Sequence, residues 1–199
     1  YEDVYTEGIT AVTDTDFRYA AALGTCVKLF GSSRMEDGRV SVFVCPMMIP
    51  QENPLSSVSD VFNAVMVKGN MAGTLMFYGS GAGKLPTGSA VVADIIEAAQ
   101  NLKRNVPMGW TGEKQAIESM DQAQFRYFVR VAGSYRNKEQ DVKSAFGQVE
   151  VIELYGMDEF AFLTAQMTEG EFKKGAVSYD ARERERSEYG IKQMIRAVL

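Results

Sequence analysis

Three glycines within five positions form the part of the sequence with the clearest potential for chemistry. In the stretch FYGSGAGKLPTGSAVVADII, Gly79, Gly81 and Gly83 stand between an apolar run and a helical pattern. Such a loop binds nucleotide phosphates when the spacing is G-x-G-x-x-G or G-x-x-x-x-G-K-[ST]. Here Lys84 takes the third glycine position of the first motif, and Leu85 stands where the second motif requires Ser or Thr. The spacing therefore excludes both phosphate loops.

Two explanations of these glycines remain open on spacing alone. The turn leads into a helix whose start is marked by Pro86 and Thr87. A helix N-terminus exposes backbone amides, and a flat or anionic ligand can approach them closely where no side chain intervenes. Alternatively, glycine only supplies a positive φ for a tight turn. Lys84 beside the loop could contact a cofactor phosphate, although a loop lysine is more often simply exposed.

Histidine is absent from the 199 residues, which narrows the chemistry available to the chain. Ser-His and Cys-His nucleophile pairs, imidazole metal ligands and the commonest general base are all removed. Cys26 and Cys45 have neither the four-ligand spacing of a zinc site nor the number needed for a disulfide framework. Asp94 and Glu97 share a helix face, but no second carboxylate pair faces them, which disfavours an acid–base role. We therefore predict no metal site.

The charge of the chain argues against a nucleic-acid or acidic-membrane partner. The net charge is −5, the sequence pI is about 4.9, and the 21 Lys and Arg residues are widely scattered. No apolar run reaches the roughly 18 residues needed to cross a bilayer. The start YEDVYTEG is acidic where a signal peptide is basic, and Tyr5 and Glu7 within it are interpreted as strand residues. We expect a cytoplasmic protein and, because the chain begins with Tyr, an excised fragment.

The first hundred residues are predicted to fold as strands with a few helices. EGITAVT alternates like a strand, and TDTDFRYAAALG carries a helix-capping pattern at Thr13 and Asp16. CVKLFGSS and RVSVFVCPMMIP should pair as a hairpin across the Asp37-Gly38 turn, and VFNAVMVKGNMAGTLMFYG should form a second hairpin. Residues 87–102 predict a helix that is apolar on most sides and must be covered on more than one face. The expected fold class is α+β, with a mixed, largely antiparallel sheet and helices on one face.

A second unit is predicted after a linker at residues 101–121, where Pro and Gly interrupt the periodicity. Residues 122–199 follow the order strand, helix, strand, strand, helix, strand, which is that of a ferredoxin-like βαββαβ sandwich. The RERER run at 182–186 alternates Arg with Glu that can pair at i,i+3. We interpret this run as a solvated helix face rather than a basic patch.

Three segments of the sequence resemble homoserine dehydrogenases in their order and spacing: EGITAVTDTDFRYAAALGTCVKLF, PMMIPQENPLSSVSDVFNAVMVKGN and MFYGSGAGKLPTGSAVVADII. The resemblance is specific over residues 5–100 and concerns the catalytic and dimerisation region of that family. Over 124–199 the strand order is similar to the ACT domain that many bacterial members carry at the C-terminus. The resemblance implies a partial catalytic and dimerisation domain at 1–100, a linker at 101–121 and an ACT-like regulatory domain at 122–199.

The resemblance implies NAD- or NADP-dependent interconversion of aspartate 4-semialdehyde and L-homoserine, on the route to threonine and methionine. In the family, the nucleotide-binding domain and a catalytic lysine precede the matched region, so we expect no catalytic residue in this chain and no activity of the chain alone. The family's loop that matches Gly81, Ala82 and Gly83 faces the cleft where nicotinamide meets substrate. These three residues are therefore the cofactor-binding candidates, and the helix after them would pack on the nucleotide-binding domain.

The resemblance also implies partners, namely a second copy of the chain in a homodimer and threonine as an effector between ACT-like units. The sequence departs from the family pattern at Cys45-Pro46, where His-Pro is frequent, and at Ser59-Asp60, where glycine is usual. AGSYRNKEQDV lacks the Asp-x-x-Gly or Pro-Gly turn typical of effector-binding ACT domains. The alternative function is a stand-alone amino-acid-sensing or interaction protein that keeps this architecture without the chemistry.

Overall fold

The computed structural model describes residues 2–109, 111–185 and 190–199. The chain forms two compact units, one of Tyr1–Gln51 with Gln115–Leu199 and one of Glu52–Lys114. These units divide the chain at other points than the boundaries expected from the sequence. The first 51 residues join the C-terminal segment because their strands pair with it, and pairing over such separations leaves no local signal in the sequence.

The secondary-structure elements are numbered in chain order. The strands are β1 (Tyr5–Thr6), β2 (Thr25–Glu36), β3 (Arg39–Pro50), β4 (Phe62–Gly69), β5 (Gly73–Ser80), β6 (Gln124–Ala132), β7 (Val149–Ile152), β8 (Glu159–Thr164), β9 (Met167–Thr168) and β10 (Ile191–Ala197). The helices are α1 (Asp14–Ala22), α2 (Lys84–Gln100), α3 (Tyr135–Phe146) and α4 (Glu169–Glu185), with short 3₁₀ helices at Pro54–Ser57 and Met120–Gln122. Among the described helices, none has the length and apolar character that a membrane crossing requires.

One eight-stranded sheet organises the first unit. Its order is β1-β3-β10-β6-β8-β7, with β2 paired to β3 and β9 paired to β6. The neighbours within β10-β6-β8-β7 are antiparallel, and the elements from β6 to β10 follow the ferredoxin-like βαββαβ order. Strand β3 adds parallel pairing with β1 and β10 and antiparallel pairing with β2. The predicted mixed, largely antiparallel sheet and the ferredoxin-like segment are thus confirmed.

Helices cover both faces of this sheet, so the prediction of helices on one face is wrong. Tyr19 of α1 lies with its ring centroid 5.7 Å from that of Phe128 in β6. The preceding strand residue, Tyr127, stacks 4.1 Å from Phe172 of α4. Successive strand residues point to opposite faces, so α1 and α4 lie on opposite sides. Because both faces are covered, Tyr127 and Phe128 are each 0% exposed, and β6 is buried without interruption over residues 127–131.

The N-terminal part of the first unit confirms one turn prediction and corrects one strand. Asp37 and Gly38 have φ values of 50° and 76° and join β2 to β3 in the predicted hairpin. The predicted strand EGITAVT is wrong, because β1 ends at Thr6. The segment turns instead, with the Val12 N–H donating to the carbonyl of Ile9 at 3.0 Å, and leads into the capping box of α1.

The second unit consists of the 3₁₀ helix at Pro54–Ser57, the β4-β5 hairpin and α2. Asn53 caps the first of these, accepting a hydrogen bond from the Leu55 N–H at 3.0 Å. Helix α2 begins at Lys84, three residues before the predicted start, and none of its 17 residues is buried. Of the described residues between α2 and the Met120–Gln122 helix, one makes a strand-type pairing, the bridge of Ile117 to Val40 in β3.

Candidate functional site

The loop between β5 and α2 contains the three predicted cofactor-binding residues, Gly81, Ala82 and Gly83. Gly83 is the N-cap of α2 and has φ 118° and ψ 157°, a conformation that is essentially restricted to glycine. A β-carbon there would lie 3.5 Å from Cδ of Pro86, which is ordinary contact. Backbone conformation rather than crowding therefore requires glycine at this position, as the tight-turn explanation predicts.

Gly81 is constrained differently from Gly83. Its φ lies outside the left-handed region, so an L-residue could adopt the backbone conformation. However, a β-carbon on Gly81 would overlap Nδ2 of the Asn63 side chain and lie 2.8 Å from its Cγ. The Gly81 N–H donates to the carbonyl of Val61 at 3.0 Å, which fastens the start of the loop to the segment before β4. Side-chain packing is therefore the local reason for glycine at 81.

The N-terminus of α2 exposes backbone next to these glycines. The first hydrogen bond of the helix runs from the Thr87 N–H to the Gly83 carbonyl at 3.1 Å. The amides of Lys84 and Leu85 come before this bond in the chain. Pro86 has no N–H, and the Lys84 side chain is exposed. The positive end of the helix dipole and bare backbone thus meet at an exposed surface, where a flat ligand or an anionic group can approach.

The carboxylates of α2 lie away from the loop. Asp94 and Glu97 are exposed and follow Gly83 by 11 and 14 positions. At 1.5 Å of rise per residue, they lie about 15 Å or more along the helix from the loop. The structure therefore does not bring them to the candidate site. Among the residues that the structure describes, no group of three or more His, Cys, Asp or Glu side chains is arranged to hold a metal ion.

The first unit contains a buried ion-pair cluster that no local pattern in the sequence indicates. The Arg196 guanidinium donates to both carboxylate oxygens of Glu169, at 2.8 and 2.5 Å, to Oε2 of Glu7 at 2.6 Å and to the Tyr5 hydroxyl at 2.9 Å. Tyr127 donates to Glu169 at 3.0 Å. We call these five residues the Arg196 cluster. Tyr5 lies in β1, as predicted, whereas Glu7 follows this strand. Both residues join the N-terminal segment to β10 and α4.

Electrostatics indicate that the Arg196 cluster is structural. Burial alone would lower the pKa of Arg196, but hydrogen bonding and charge from Glu169, with a further hydrogen bond to Glu7, raise it above its ordinary value. Burial raises the pKa of Tyr5 to about 12. Burial, followed by the charge of Glu169, also raises the pKa of Tyr127. The guanidinium therefore stays charged and the two phenols stay protonated at neutral pH. None of these three groups gains or loses a proton there, which is typical of a structural cluster.

Two further ion-pair groups join elements of the first unit. Arg130 lies 3.1 Å from Asp16 of α1 and 3.4 Å from Glu159, which also pairs with Lys192 at 2.8 Å. The side chains of Arg130, Asp16 and Glu159 are less than a tenth exposed. Each of these buried charges lies beside an opposite charge that compensates it.

The other group corrects the interpretation of the RERER run. Glu183 is 0% exposed and forms an ion pair with Lys138 of α3. The prediction of a solvated helix face is therefore wrong at Glu183, because α3 packs against this side of α4. Arg184 is exposed, as predicted, whereas Arg186 lies outside the described residues.

Comparison with known proteins gives the family. The sequence model of the family described as "Homoserine dehydrogenase" matches residues 1–96, which include the whole glycine loop. Residues 1–96 belong to the homoserine dehydrogenase family. It is 45% identical to the homoserine dehydrogenase of Mycobacterium leprae over 139 residues, 64% of the chain and 31% of that protein. It is 35% identical to the homoserine dehydrogenase of Neisseria gonorrhoeae over 156 residues, 74% of the chain and 34% of that protein.

Solved homoserine dehydrogenases have a similar fold. The structure from Thiobacillus denitrificans matches 99% of the chain with a TM-score of 0.78 and 26% identity. A structure from S. aureus, determined at pH 6.0, matches the whole chain with a TM-score of 0.67 and 28% identity. In both cases the chain covers 48% of the solved protein. The chain therefore spans about half the length of the homoserine dehydrogenases whose structures it matches.

Proposed function

We propose that this chain provides the C-terminal part of a homoserine dehydrogenase, an oxidoreductase that interconverts aspartate 4-semialdehyde and L-homoserine with NAD or NADP. The match of the family model to residues 1–96, with the intact glycine loop inside it, carries the proposal. The similarity to solved homoserine dehydrogenases over nearly the whole chain supports it. In this proposal the nucleotide-binding segment and the catalytic lysine belong to the other half of the enzyme.

Within this function, Gly81, Ala82 and Gly83 form the wall of the cleft that receives the nicotinamide. The glycine-only conformation of Gly83 turns the chain so that backbone, without side chains, faces the ligand. The amides of Lys84 and Leu85 lie at the positive end of α2, next to this bare backbone. When bound, the nicotinamide supplies hydride exchange with the substrate carbonyl. The role of this chain is to place and shield it, and no residue of the chain acts as acid or base.

The first prediction tests the function directly. The 199-residue chain alone is expected neither to oxidise homoserine nor to bind NADPH tightly. Fused behind the N-terminal nucleotide-binding half of the Thiobacillus denitrificans relative, it is expected to oxidise homoserine. Gly83→Ala in this fusion should lower kcat/KM by about 10- to 100-fold, because the loop must leave its glycine-only conformation and misplace the nicotinamide. Reduction of NADP at 340 nm measures the rate.

Gly112→Ala is the matched control for this experiment. Gly112 lies in the same unit, has no atom within 4 Å of its β-carbon position and does not have a positive φ. We expect this variant of the fusion to keep its activity. An inactive fusion that binds NADPH normally would contradict the proposed function. Turnover by the 199-residue chain alone would contradict the proposal that the nucleotide-binding segment and the catalytic lysine belong to the other half of the enzyme.

We also propose that the complete enzyme is a homodimer. The β4-β5 ribbon presents Val65, Val67, Leu75 and Phe77 on one face, and these side chains are 46–64% exposed. An isolated two-stranded ribbon is at best marginally stable, so we expect another protein surface to pack against this face. A second copy of the chain supplies it in our proposal, and the nucleotide-binding half covers the apolar surface of α2.

Residues 122–199 are proposed to be an ACT-type regulatory domain whose effector is threonine. The ferredoxin-like order of these strands and helices supports this role. Calorimetric titration of the chain with L-threonine is expected to show saturable binding, with D-threonine as the control ligand. Absence of heat and of any stabilisation by L-threonine would contradict the effector. Threonine binding combined with an inactive fusion would instead favour the alternative function, a stand-alone amino-acid sensor.

A further inference from the structure

We infer that Asn63 is the positioning residue of the glycine loop, and that residue 81 is glycine because the Asn63 carboxamide occupies the space of its β-carbon. The inference rests on the proposed function, since it concerns how the cofactor-facing backbone is held in place. It assigns a role to a side chain of β4 that precedes the loop by 18 positions. It also separates the reasons for the two glycines, because Gly83 is required by its φ and Gly81 by its neighbour.

The contact is specific to Gly81. A β-carbon on this residue would overlap Asn63 Nδ2 and lie 2.8 Å from Cγ and 3.5 Å from Cβ. A β-carbon on Gly79 or Gly88, before and after the loop, would meet no atom within 4 Å. Crowding is thus absent from the neighbouring glycines of the same unit. The overlapping atom lies at the end of the Asn63 side chain. An alanine at 81 would therefore displace the carboxamide rather than force the backbone into another conformation.

The register of the hairpin explains how Asn63 reaches the loop. Asn63 pairs with Gly79 across β4 and β5, so its side chain stands beside the point where β5 runs into the loop. The Gly81 N–H is also fixed, by its hydrogen bond to the Val61 carbonyl at 3.0 Å. Asn63 and Val61 therefore hold residue 81 from two directions. We expect the loop to loosen when the carboxamide is removed and to shift when a methyl group at 81 displaces it.

This arrangement predicts compensation between a smaller side chain at 63 and a larger one at 81. In Asn63→Ala the space beside Gly81 is empty, and in Gly81→Ala it is overfilled. In the double variant the new methyl group occupies the space that the carboxamide has left. Residues in direct contact are expected to show such non-additivity, whereas independent residues would show additive losses.

The first test needs no activity. Amide hydrogen exchange at residue 81 is measured by NMR in the 199-residue chain and its variants. We expect exchange at least about fivefold faster in Asn63→Ala and close to the parent rate in Asn63→Ala/Gly81→Ala. Gly88→Ala, a glycine-to-alanine change without crowding, is the control and should leave this amide unchanged. Equal exchange in the parent chain and in Asn63→Ala would overturn the inference.

The second test measures positioning in the active fusion protein. Each single variant is expected to lower kcat by about tenfold with little change in the KM for the cofactor, because a misplaced loop disturbs alignment more than binding. The double variant should recover to within about threefold of the parent, with unchanged thermal stability in all four proteins. A double variant worse than either single variant would overturn the inference. If the parent fusion is inactive, the proposed function fails, and the exchange cycle still decides whether Asn63 fixes the loop.

Discussion

Arg196→Met is expected to lower the free energy of unfolding of the first unit by about 3–5 kcal/mol, the typical cost of leaving a buried charge without its partner. Glu169 is 1% exposed and would lose both of its charged hydrogen bonds from the guanidinium. Glu7 and Tyr5 would lose their link to β10 at the same time. Urea unfolding followed by circular dichroism at 222 nm measures the change.

Arg34→Met is the matched control for Arg196. Arg34 is also an arginine on a strand of the same sheet and pairs with Glu36 at 2.8 Å, but the two side chains are 71% and 63% exposed. An exposed pair of this kind contributes about 0–1 kcal/mol, so we expect a change within that range. Replacing Arg196 with Met and Glu169 with Leu together should recover part of the loss, because this change removes both members of the buried pair and leaves neither charge without its partner. Equal losses for Arg196→Met and Arg34→Met would show that the cluster is not the buried, interdependent unit described above.

Local patterns in the sequence predicted much of the fold. The Asp37-Gly38 pair located the β2-β3 hairpin, since its two positive φ values are readily accepted by these residue types. The strand and helix order after residue 122 indicated the ferredoxin-like segment, because each of its elements carries its own periodicity. The division into units was not predictable in the same way. It depends on β10 pairing with β3, about 150 positions earlier in the chain, and no local signal records that contact.

The sequence predicted a glycine loop at a helix start but not the physical reasons for its glycines. The cluster of glycines drew attention to residues 81–83, and the structure places them in one exposed loop at a helix start. Spacing alone left a positive φ and close ligand approach as alternatives. The structure adds a cause that spacing does not contain, the Asn63 carboxamide beside Gly81. In the same way, Tyr5 and Glu7 gave no signal, because their partner Arg196 lies about 190 positions away.

The predicted apolar helix forms, but the predicted covering of its faces is not found among the described residues. Residues 87–102 were expected to be covered on more than one face, whereas none of the residues of α2 is buried. The same holds for the ribbon face that carries Val65 and Phe77, which are 60% and 64% exposed. A helix or ribbon with this composition is typical of a surface that another protein segment covers. Its exposure is one reason for proposing a homodimer and an attached nucleotide-binding half.

Phe77→Asp is expected to weaken the proposed homodimer of the fusion protein by about 100-fold or more, because it places an unpaired charge in the centre of an apolar contact. Val65, directly opposite Phe77 on the ribbon, should give the same result when replaced with Asp, which guards against a local folding defect at one position. Sedimentation equilibrium over a range of concentrations measures the dissociation constant, and circular dichroism checks the secondary structure.

Met71→Asp is the matched control, since Met71 is 92% exposed in the turn between the two strands, away from the ribbon face. If Phe77→Asp and Val65→Asp remain dimers of unchanged affinity, the ribbon face is not the dimer contact, whereas a loss shared by Met71→Asp would point to a general effect of added charge.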